Sequence, residues 1–330
     1  MVRRRKKFLS RIISVGLFLI VLILGACSKD KEVDSVDGEE IKNIGILLSA
    51  EHSALTSAQE GFIEELETNG FVDGENVKIN ILNSQGSSGN LHDMAQQLAS
   101  ENDLLLGIST SAAQSLASIT SEIPILFTAT TDPEGAGLID SIDSPGGNIT
   151  GTSDMVPFEE QIDLLVSIVP DSERIGIIFN SSEPNSQVQA DLASQAIEAS
   201  GREAVIMTVT NTNDVQQVAE RLLREVDALY IPTDNTLSSA ATTVGELAIE
   251  HQIPIVAGSI DHTADGGLAT YGIDYHSLGQ QTGKMAINIL KNGTLPTDLP
   301  VETAEELDLF VNEEMAEALG IDPASIQMNK

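Results

Sequence analysis

The stretch NIGILLSAEHSALTSAQEGFIEELETNG, residues 43–70, carries the pattern that decides the fold. Ile44 to Leu48 is a short, continuous apolar run, which is typical of a buried strand. From Ala54 to Asn69, apolar residues recur at the spacing of one helix face. That face comprises Leu55, Ala58, Phe62 and Leu66. A buried strand that leads directly into an amphipathic helix is the unit of a parallel sheet covered by helices.

The same alternation of strand and helix continues along the chain and restarts once, after a Gly/Pro-containing break at 144–148. Further strands are predicted at 77–82, 104–108, 125–130, 174–180, 204–209, 228–232, 253–257, 268–273 and 307–311. Helices are predicted at 91–100, 111–119, 186–199, 215–223, 236–250, 277–291 and 313–319. The pattern predicts an α/β chain of two doubly wound, Rossmann-like parallel-sheet lobes joined by a hinge.

The N-terminal region has the layout of an export signal followed by a lipid anchor. Residues 1–11 carry six basic side chains and no acid, and residues 12–24 are apolar apart from one serine and one glycine. This apolar run is shorter than the roughly 20 residues that span a bilayer. The segment Leu24-Gly25-Ala26-Cys27 resembles a bacterial lipobox, which implies cleavage before Cys27 and attachment of palmitate-like acyl chains to it. A buried structural cysteine, the alternative, does not explain the basic leader.

These patterns set the predicted domain boundaries. We expect a signal peptide at 1–26 and a lipidated, charged and flexible tether at 27–42. The first lobe is predicted to comprise 43–150 plus about 276–293, and the second lobe 151–275 plus about 294–330. The acyl chains would hold the protein on the extracytoplasmic face of the cell membrane.

Composition narrows the set of partners. The chain has 17 Lys and Arg against 50 Asp and Glu, a formal net charge of −33, and loss of the six basic residues of the signal lowers it to −39. Such a surface repels nucleic acid, which is therefore not an expected partner. With a single cysteine no internal disulfide can form, so packed cores must supply the stability. We expect a monomer.

Polar residues follow the predicted strands, where open parallel sheets bind ligands because helix N-termini present free N–H groups there. The candidates of the first half are Ser49, His52, Ser109, Thr110, Thr131 and Asp132. Those of the second half are Asn180, Asn185, Asp234, Asn235 and Asp261. Most belong to residue types that cap helices, so a capping role stays open for each. Because the strand ends of both halves can face one cleft, the set predicts a ligand site between the lobes.

No catalytic arrangement stands out, and we predict a protein that is not an enzyme and uses no cofactor. The five histidines lack the i, i+4 spacing of helical zinc ligands. The turn after the first strand lacks the glycine pattern of dinucleotide-binding folds, and no P-loop is present. His52 and His262 both follow strands, which leaves open a metal site or a secreted hydrolase with one of them as its base.

Several segments resemble the substrate-binding proteins of ABC importers, in particular the group that binds tryptophan or tyrosine. They are EHSAL at 51–55, FTATTDPEGAGL at 127–138, PGGNITG at 145–151, PTDNT at 232–236 and YGIDYHSLGQQTGKMA at 271–286. The resemblance implies a type I periplasmic-binding-protein-like lipoprotein that closes on a small amino acid-type ligand and delivers it to the permease subunits of an importer. A membrane-associated sensor stays open as an alternative, since both roles need ligand-driven closure.

An amino acid ligand needs an acceptor for its ammonium group and donors for its carboxylate. Under this resemblance, the ammonium candidates are Asp234 and Asp261. The carboxylate candidates are the N–H and hydroxyl groups around Ser109, Thr110 and Thr131. The residues expected to complete the two walls are Asn180, Asn185, Asn235, Ser49 and His52.

Overall fold

The computed structural model describes residues 41–328. Its strands are β1 (Lys42–Leu48), β2 (Val77–Asn83), β3 (Leu104–Ile108), β4 (Ile125–Thr130), β5 (Ile149–Ser153), β6 (Arg174–Asn180), β7 (Glu203–Val209), β8 (Ala228–Ile231), β9 (Ile255–Ala257), β10 (Ala269–Gly272), β11 (Glu302–Thr303) and β12 (Asp308–Val311). Its helices are α1 (Ser53–Thr68), α2 (Ser88–Glu101), α3 (Thr110–Ile119), α4 (Phe158–Ile168), α5 (Pro184–Ala199), α6 (Thr212–Leu222), α7 (Asn235–Ser238), α8 (Ala241–His251), α9 (Ile260–Gly266), α10 (Tyr275–Asn292) and α11 (Glu313–Leu319).

The strands form two sheets, each with helices packed on it. The first has the order β11-β5-β4-β3-β1-β2 and the second the order β12-β10-β9-β8-β6-β7. Among the described residues every strand pairing is parallel except that of β10 with β12. The central strands are fully buried, as expected for sheets covered on both faces. The prediction of two doubly wound parallel-sheet lobes is therefore confirmed.

Within residues 41–328 the chain crosses between the lobes three times. It leaves the first sheet after β5, returns after β10 by way of α10, and leaves again after β11. Two predicted boundaries change as a result. The strand β5 extends the first sheet past residue 150, and β11 returns part of the segment after 294 to the first sheet. The first change arises from the pairing of β5 with β4, which continues to Ser153. The second arises from the pairing of β11 with β5, in which Glu302 lies opposite Thr152, a contact between residues far apart in sequence.

The helices differ from the sequence prediction in two ways. The predicted helix at 236–250 is broken into α7 and α8 at Ala240, whose φ of −117° and ψ of 13° are not helical. Periodicity also missed α4 and α9. The start of α4 carries Glu159 and Glu160 in its first turn, where acidic groups favour a helix N-terminus.

Helix α10 lies unusually close to α1, and this contact fixes where the second crossing enters the first lobe. A Cβ atom on Gly61 would lie 2.0 Å from the carbonyl oxygen of His276, and one on Gly279 would lie 2.0 Å from that of Ala58. Only glycine permits this approach of the two backbones. Since α10 begins at Tyr275, the packing sets the position of that side chain at the edge of the cleft.

The predicted signal peptide, Cys27 and the tether up to residue 40 lie outside the described residues. Between residues 41 and 328, no helix is both long and apolar enough to cross a membrane.

Candidate functional site

The carboxyl ends of both sheets face one cleft, and hydrogen bonds join its two walls. Ser57 Oγ on α1 donates to Asp261 Oδ1 on α9 at 2.7 Å. His52 Nε2 and Asn235 Oδ1 are 3.1 Å apart, and Ser53 Oγ donates to the carboxylate of Asp265. These contacts connect residues of different lobes, so the lobes are closed on each other.

A narrow cavity is enclosed between the closed lobes. The first lobe lines it with His52, Ala54, Leu55 and Ala129, and the second with Asn185, Thr233, Asn235, Ser238 and Ser259. Asp154 and Tyr275, which lie at the first and second crossings, complete the wall. The closed cavity has space for about one water molecule. A wider polar groove of about 650 Å³ adjoins it and shares Asn235 as a lining residue.

Asp154 is the carboxylate inside this cavity, and sequence reasoning missed it. Its side chain is 3% exposed, with Oδ1 accepting from Thr131 Oγ1 at 2.8 Å and Oδ2 accepting from the hydroxyl of Tyr275 at 2.5 Å. Burial raises the pKa of Asp154, and its two hydrogen bonds oppose that rise. No Lys or Arg is among the described residues that line the cavity. A buried carboxylate held by neutral hydroxyls alone is suited to receive a cation.

Strained backbone marks the first-lobe wall of the cleft. Outside glycine, four described residues have a positive φ, and three of them lie at the carboxyl edge of the first sheet. They are Gln85 after β2 (φ 52°), Ser109 after β3 (φ 111°) and Ala129 within β4 (φ 53°). Such conformations cost free energy and cluster where a site is preformed. Ala129 itself lines the cavity.

The same edge holds buried polar atoms with no hydrogen-bond partner among the described residues. In the first lobe these are Ser49 Oγ, His52 Nδ1 and Thr110 Oγ1. In the second lobe the same holds for Asp261 Oδ2. Buried polar groups are normally satisfied, so unpaired ones beside a cavity indicate groups that await a ligand or water.

The N-terminus of α1 provides a place for negative charge. No side chain caps this 16-residue helix, and its first turn contains no acid. The first N–H groups of a helix have no partner inside the helix and carry partial positive charge. Ala54 and Leu55 of this turn line the cavity, so a carboxylate placed there would meet free donors.

The structure places the predicted site residues in several different surroundings. Three of them, His52, Asn185 and Asn235, line the cavity, and Asp261 accepts the hydrogen bond of Ser57 between the lobes. Thr131 reaches the cavity through Asp154, and Ser49 and Asn180 line the wider groove. The hydroxyl of Ser109 caps α3 by accepting from Ala112 N, and Thr110 follows it in the first turn of α3. Asp132 instead accepts from Gly135 N within a turn.

Asp234, the other predicted ammonium ligand, has a capping arrangement inside the second lobe. It is 1% exposed, and its two oxygens accept from Asn180 N at 2.7 Å and Leu237 N at 2.8 Å. Burial and the nearby carboxylate of Glu183 raise the pKa of Asp234 to about 7. These contacts leave Asp154, and not Asp234, as the carboxylate on the cavity wall.

The two cleft histidines are held as neutral rings. Burial lowers the pKa of His262 to about 3, and its Nδ1 lies 3.1 Å from Ser238 Oγ. Burial also lowers the pKa of His52, against the opposing effect of its contact with Asn235. Within residues 41–328, no group of three or more His, Cys, Asp or Glu side chains is arranged to hold a metal ion.

Comparison with known proteins decides the family. The family model for ABC transporter substrate binding proteins matches residues 43–326. The chain belongs to this family of substrate-binding proteins. A relative from Clostridioides difficile, named a tyrosine-binding protein, is 36% identical to this binding protein over 98% of its length and 94% of the relative's.

Two solved structures show which state the binding protein is in. The domain from Streptococcus pneumoniae in complex with L-Trp is 35% identical, with a TM-score of 0.82 over 86% of this chain and 96% of that one. A ligand-free, open substrate-binding protein from Clostridium difficile is 40% identical over the same shares, but its TM-score is 0.66. The binding protein thus resembles the ligand-bound structure more than the open one, in line with the contacts between its lobes.

Proposed function

We propose that the binding protein captures a free aromatic amino acid, tryptophan or tyrosine, between its lobes and releases it unchanged to an ABC permease. The observation that carries this proposal is the buried, cation-free carboxylate of Asp154 on the cavity wall. The names of two similar proteins support the ligand class, since one is called a tyrosine-binding protein and the other was solved with L-Trp.

Asp154 would accept the ammonium group of the ligand. An ammonium placed there completes a charge-assisted hydrogen bond in a site shielded from water, where such bonds are strong. Asp261, whose Oδ2 has no partner, is a second acidic group near the same wall. Burial raises the pKa of Asp261, and the bond from Ser57 opposes that shift.

The ligand's carboxylate would lie on the first-lobe side. The uncapped N-terminus of α1 supplies donors on that wall, and the unpaired hydroxyl of Ser49 belongs to a residue that lines the adjoining groove. Leu55 and Ala129 supply apolar surface for a ring. The closed cavity has space for about one water molecule, so we expect ligand to enter the open form and the loaded lobes to remain slightly farther apart.

A thermal-shift screen of the purified protein tests this function. The panel contains the common amino acids, several sugars and several nucleosides. A ligand that binds the folded form only stabilises it by mass action, by about 2.7 kcal/mol when its concentration is one hundred times Kd. We expect L-tryptophan or L-tyrosine to give the largest rise in Tm. Stabilisation by a sugar or nucleoside, with none by either amino acid, would refute the proposal.

We also propose that the mature protein is a lipoprotein anchored through Cys27 on the extracytoplasmic face of the membrane. The basic leader, the apolar run and the small residues before Cys27 support it. A Cys27→Ala variant should lose acyl labelling and membrane retention in fractionated cells. If it stays in the membrane fraction with unchanged labelling, the anchor lies elsewhere.

A further inference from the structure

The hydrogen bonds around Asn235 fix the orientation of its side-chain amide. Asn235 Nδ2 donates to Glu183 Oε2 at 2.6 Å, and the backbone N–H of Asn235 donates to the same oxygen at 3.1 Å. The other oxygen of Glu183 accepts from the backbone N–H of Thr236 at 3.1 Å. Both oxygens of Glu183 are thus acceptors, so the amide must turn its NH2 group toward Glu183. This leaves Asn235 Oδ1 facing His52.

The orientation of Asn235 decides which nitrogen of His52 carries the hydrogen. Asn235 Oδ1 lies 3.1 Å from His52 Nε2, and an amide oxygen can only accept. His52 Nε2 must therefore carry the hydrogen. In a neutral imidazole the other nitrogen, Nδ1, then has a lone pair and is an acceptor.

The ring of His52 is neutral in the closed protein. In the described part of the chain, the histidines that form an ion pair with a carboxylate are His251 and His276. Glu183 reaches the ring of His52 through Asn235 and not by direct contact. Burial lowers the pKa of His52, in agreement with a ring that holds no second hydrogen.

The acceptor His52 Nδ1 is buried and has no hydrogen-bond partner among the described residues. His52 occupies the N-cap position of α1, yet its side chain makes no bond to the first turn of that helix. Helix capping, the ordinary use of a polar side chain at this position, therefore does not account for the lone pair. A buried acceptor without a donor costs free energy, and a ligand that supplies the donor removes this cost.

His52 and Asp154 lie on different parts of the cavity wall. Asp154 lies at the first crossing, where it contacts Tyr275. Asn235, the partner of His52, lines both the cavity and the adjoining groove, so His52 belongs to the groove side of the cavity. An amino acid whose ammonium group contacts Asp154 would therefore extend its side chain toward His52.

We infer that His52 is a specificity-determining residue, whose Nδ1 accepts a hydrogen bond from an N–H or O–H group on the aromatic ring of the ligand. The inference deepens the proposed function and rests on it, because it names the part of the amino acid that the site distinguishes. The indole of tryptophan carries an N–H and the phenol of tyrosine an O–H, whereas the ring of phenylalanine carries neither. The site should therefore discriminate against phenylalanine, although its ring has nearly the shape of that of tyrosine.

The test compares ligands that differ in the ring donor. One pair is L-tryptophan and L-3-(3-benzothienyl)alanine, in which a sulfur atom replaces the indole N–H with little change of shape. The other pair is L-tyrosine and L-phenylalanine. Calorimetry measures the affinity ratio within each pair for the wild type and for His52→Phe, which keeps a planar ring but removes the acceptor. The matched control is His92→Phe, on the exposed face of α2.

In the wild type we expect the ligand with the ring donor to bind at least about tenfold more tightly than its partner, because the partner leaves Nδ1 buried without a donor. In His52→Phe this ratio should fall toward one. Loss of the contact between His52 and Asn235 weakens both members of a pair alike and cancels in the ratio. His92→Phe should keep the wild-type ratio.

Nitrogen-15 NMR of the histidine rings in the wild type provides a second measurement, which does not depend on the folding of a variant. In the complex with the sulfur analogue, His52 should carry its hydrogen on Nε2 and none on Nδ1. In the tryptophan complex the Nδ1 signal should shift, because this nitrogen then accepts the indole N–H.

Three results would overturn the inference and leave the proposed function standing. They are equal affinities within each pair in the wild type, a wild-type ratio that persists in His52→Phe, and a hydrogen on His52 Nδ1 in either complex. If none of the four amino acids binds, the proposed function fails, and the inference fails with it.

Discussion

Ser57 Oγ on α1 donates a 2.7 Å hydrogen bond to Asp261 Oδ1 on α9, and this bond joins the two lobes. The neighbouring bond from Ser53 to Asp265 repeats the arrangement one turn earlier on α1. Neither pair contains two charges, so the closed state is held by hydroxyl–carboxylate contacts, which can break without separating a buried ion pair.

Replacing Ser57 should weaken ligand binding without unfolding either lobe. A hydrogen bond of this kind contributes about 1 kcal/mol, which corresponds to roughly a fivefold loss of affinity in Ser57→Ala. Calorimetric titration of the variant measures it. Ser118→Ala, which removes a hydroxyl bonded only to the carbonyl of Ser115 on α3, is the matched control and should bind like the wild type. Equal affinities of the two variants would show that this contact is irrelevant to closure.

A methyl group between α1 and α10 should be strongly destabilising. In Gly279→Ala the new Cβ would lie 2.0 Å from the carbonyl of Ala58, so the helices must separate, at a cost of about 1–3 kcal/mol or more. Gly89→Ala on α2 is the control, because nothing lies within 4 Å of the position that its new Cβ would occupy, and the added helix propensity should raise stability slightly. Urea denaturation compares the two. A Gly279→Ala protein as stable as wild type would contradict the close helix packing.

The two buried aspartates should respond differently to substitution. Asp234→Ala leaves the N–H groups of Asn180 and Leu237 unpaired in a buried place, which we expect to cost about 1–3 kcal/mol of stability. Asp154→Ala should instead weaken ligand binding by at least about tenfold, since the ammonium loses its acceptor. Denaturation and calorimetry on both variants separate the roles. A large loss of affinity in folded Asp234→Ala would restore the sequence-based assignment of that residue to the ligand.

Acid should destabilise the second lobe through His262. Its pKa is lowered to about 3 in the folded protein, below the ordinary value of 6.5, so the unfolded chain binds the extra proton between these values. The free energy of unfolding is therefore unaffected by His262 above pH 6.5. As pH falls from 6.5 toward 3, it declines by at most about 1.4 kcal/mol per pH unit. His262→Gln should flatten the stability profile in this window. The control His92→Gln, on the exposed face of α2, should leave the slope as it is. Identical slopes in all three proteins would exclude a buried neutral His262.

The lobes were predictable because their signals are local. The run Ile44–Leu48 and the helix face after it are read from adjacent residues, and both appear in the structure as β1 and α1. Sheet order at the crossings was not predictable in this way. The strand β11 joins the first sheet through a two-residue pairing with β5. The sequence Glu302–Thr303 has no periodicity that predicts this pairing.

The site was predictable to the extent that it lies at strand ends. His52, Asn185 and Asn235 line the cavity, and Asp261 bonds Ser57 of the other lobe. Asp154 was missed, although it directly follows β5, and an acid directly after a strand was a signal that could have found it. Gln189 lies in the second turn of α5, and only the closed arrangement of the lobes reveals that it meets Thr131.

Calorimetric titration of the purified protein with L-tryptophan and with L-tyrosine tests the central claim most directly. The account predicts saturable one-to-one binding of at least one of them, with a Kd near micromolar or lower, which corresponds to about −8 kcal/mol, and recovery of the same amino acid after release. The absence of saturable binding for both, or recovery of a chemically altered product, would contradict it.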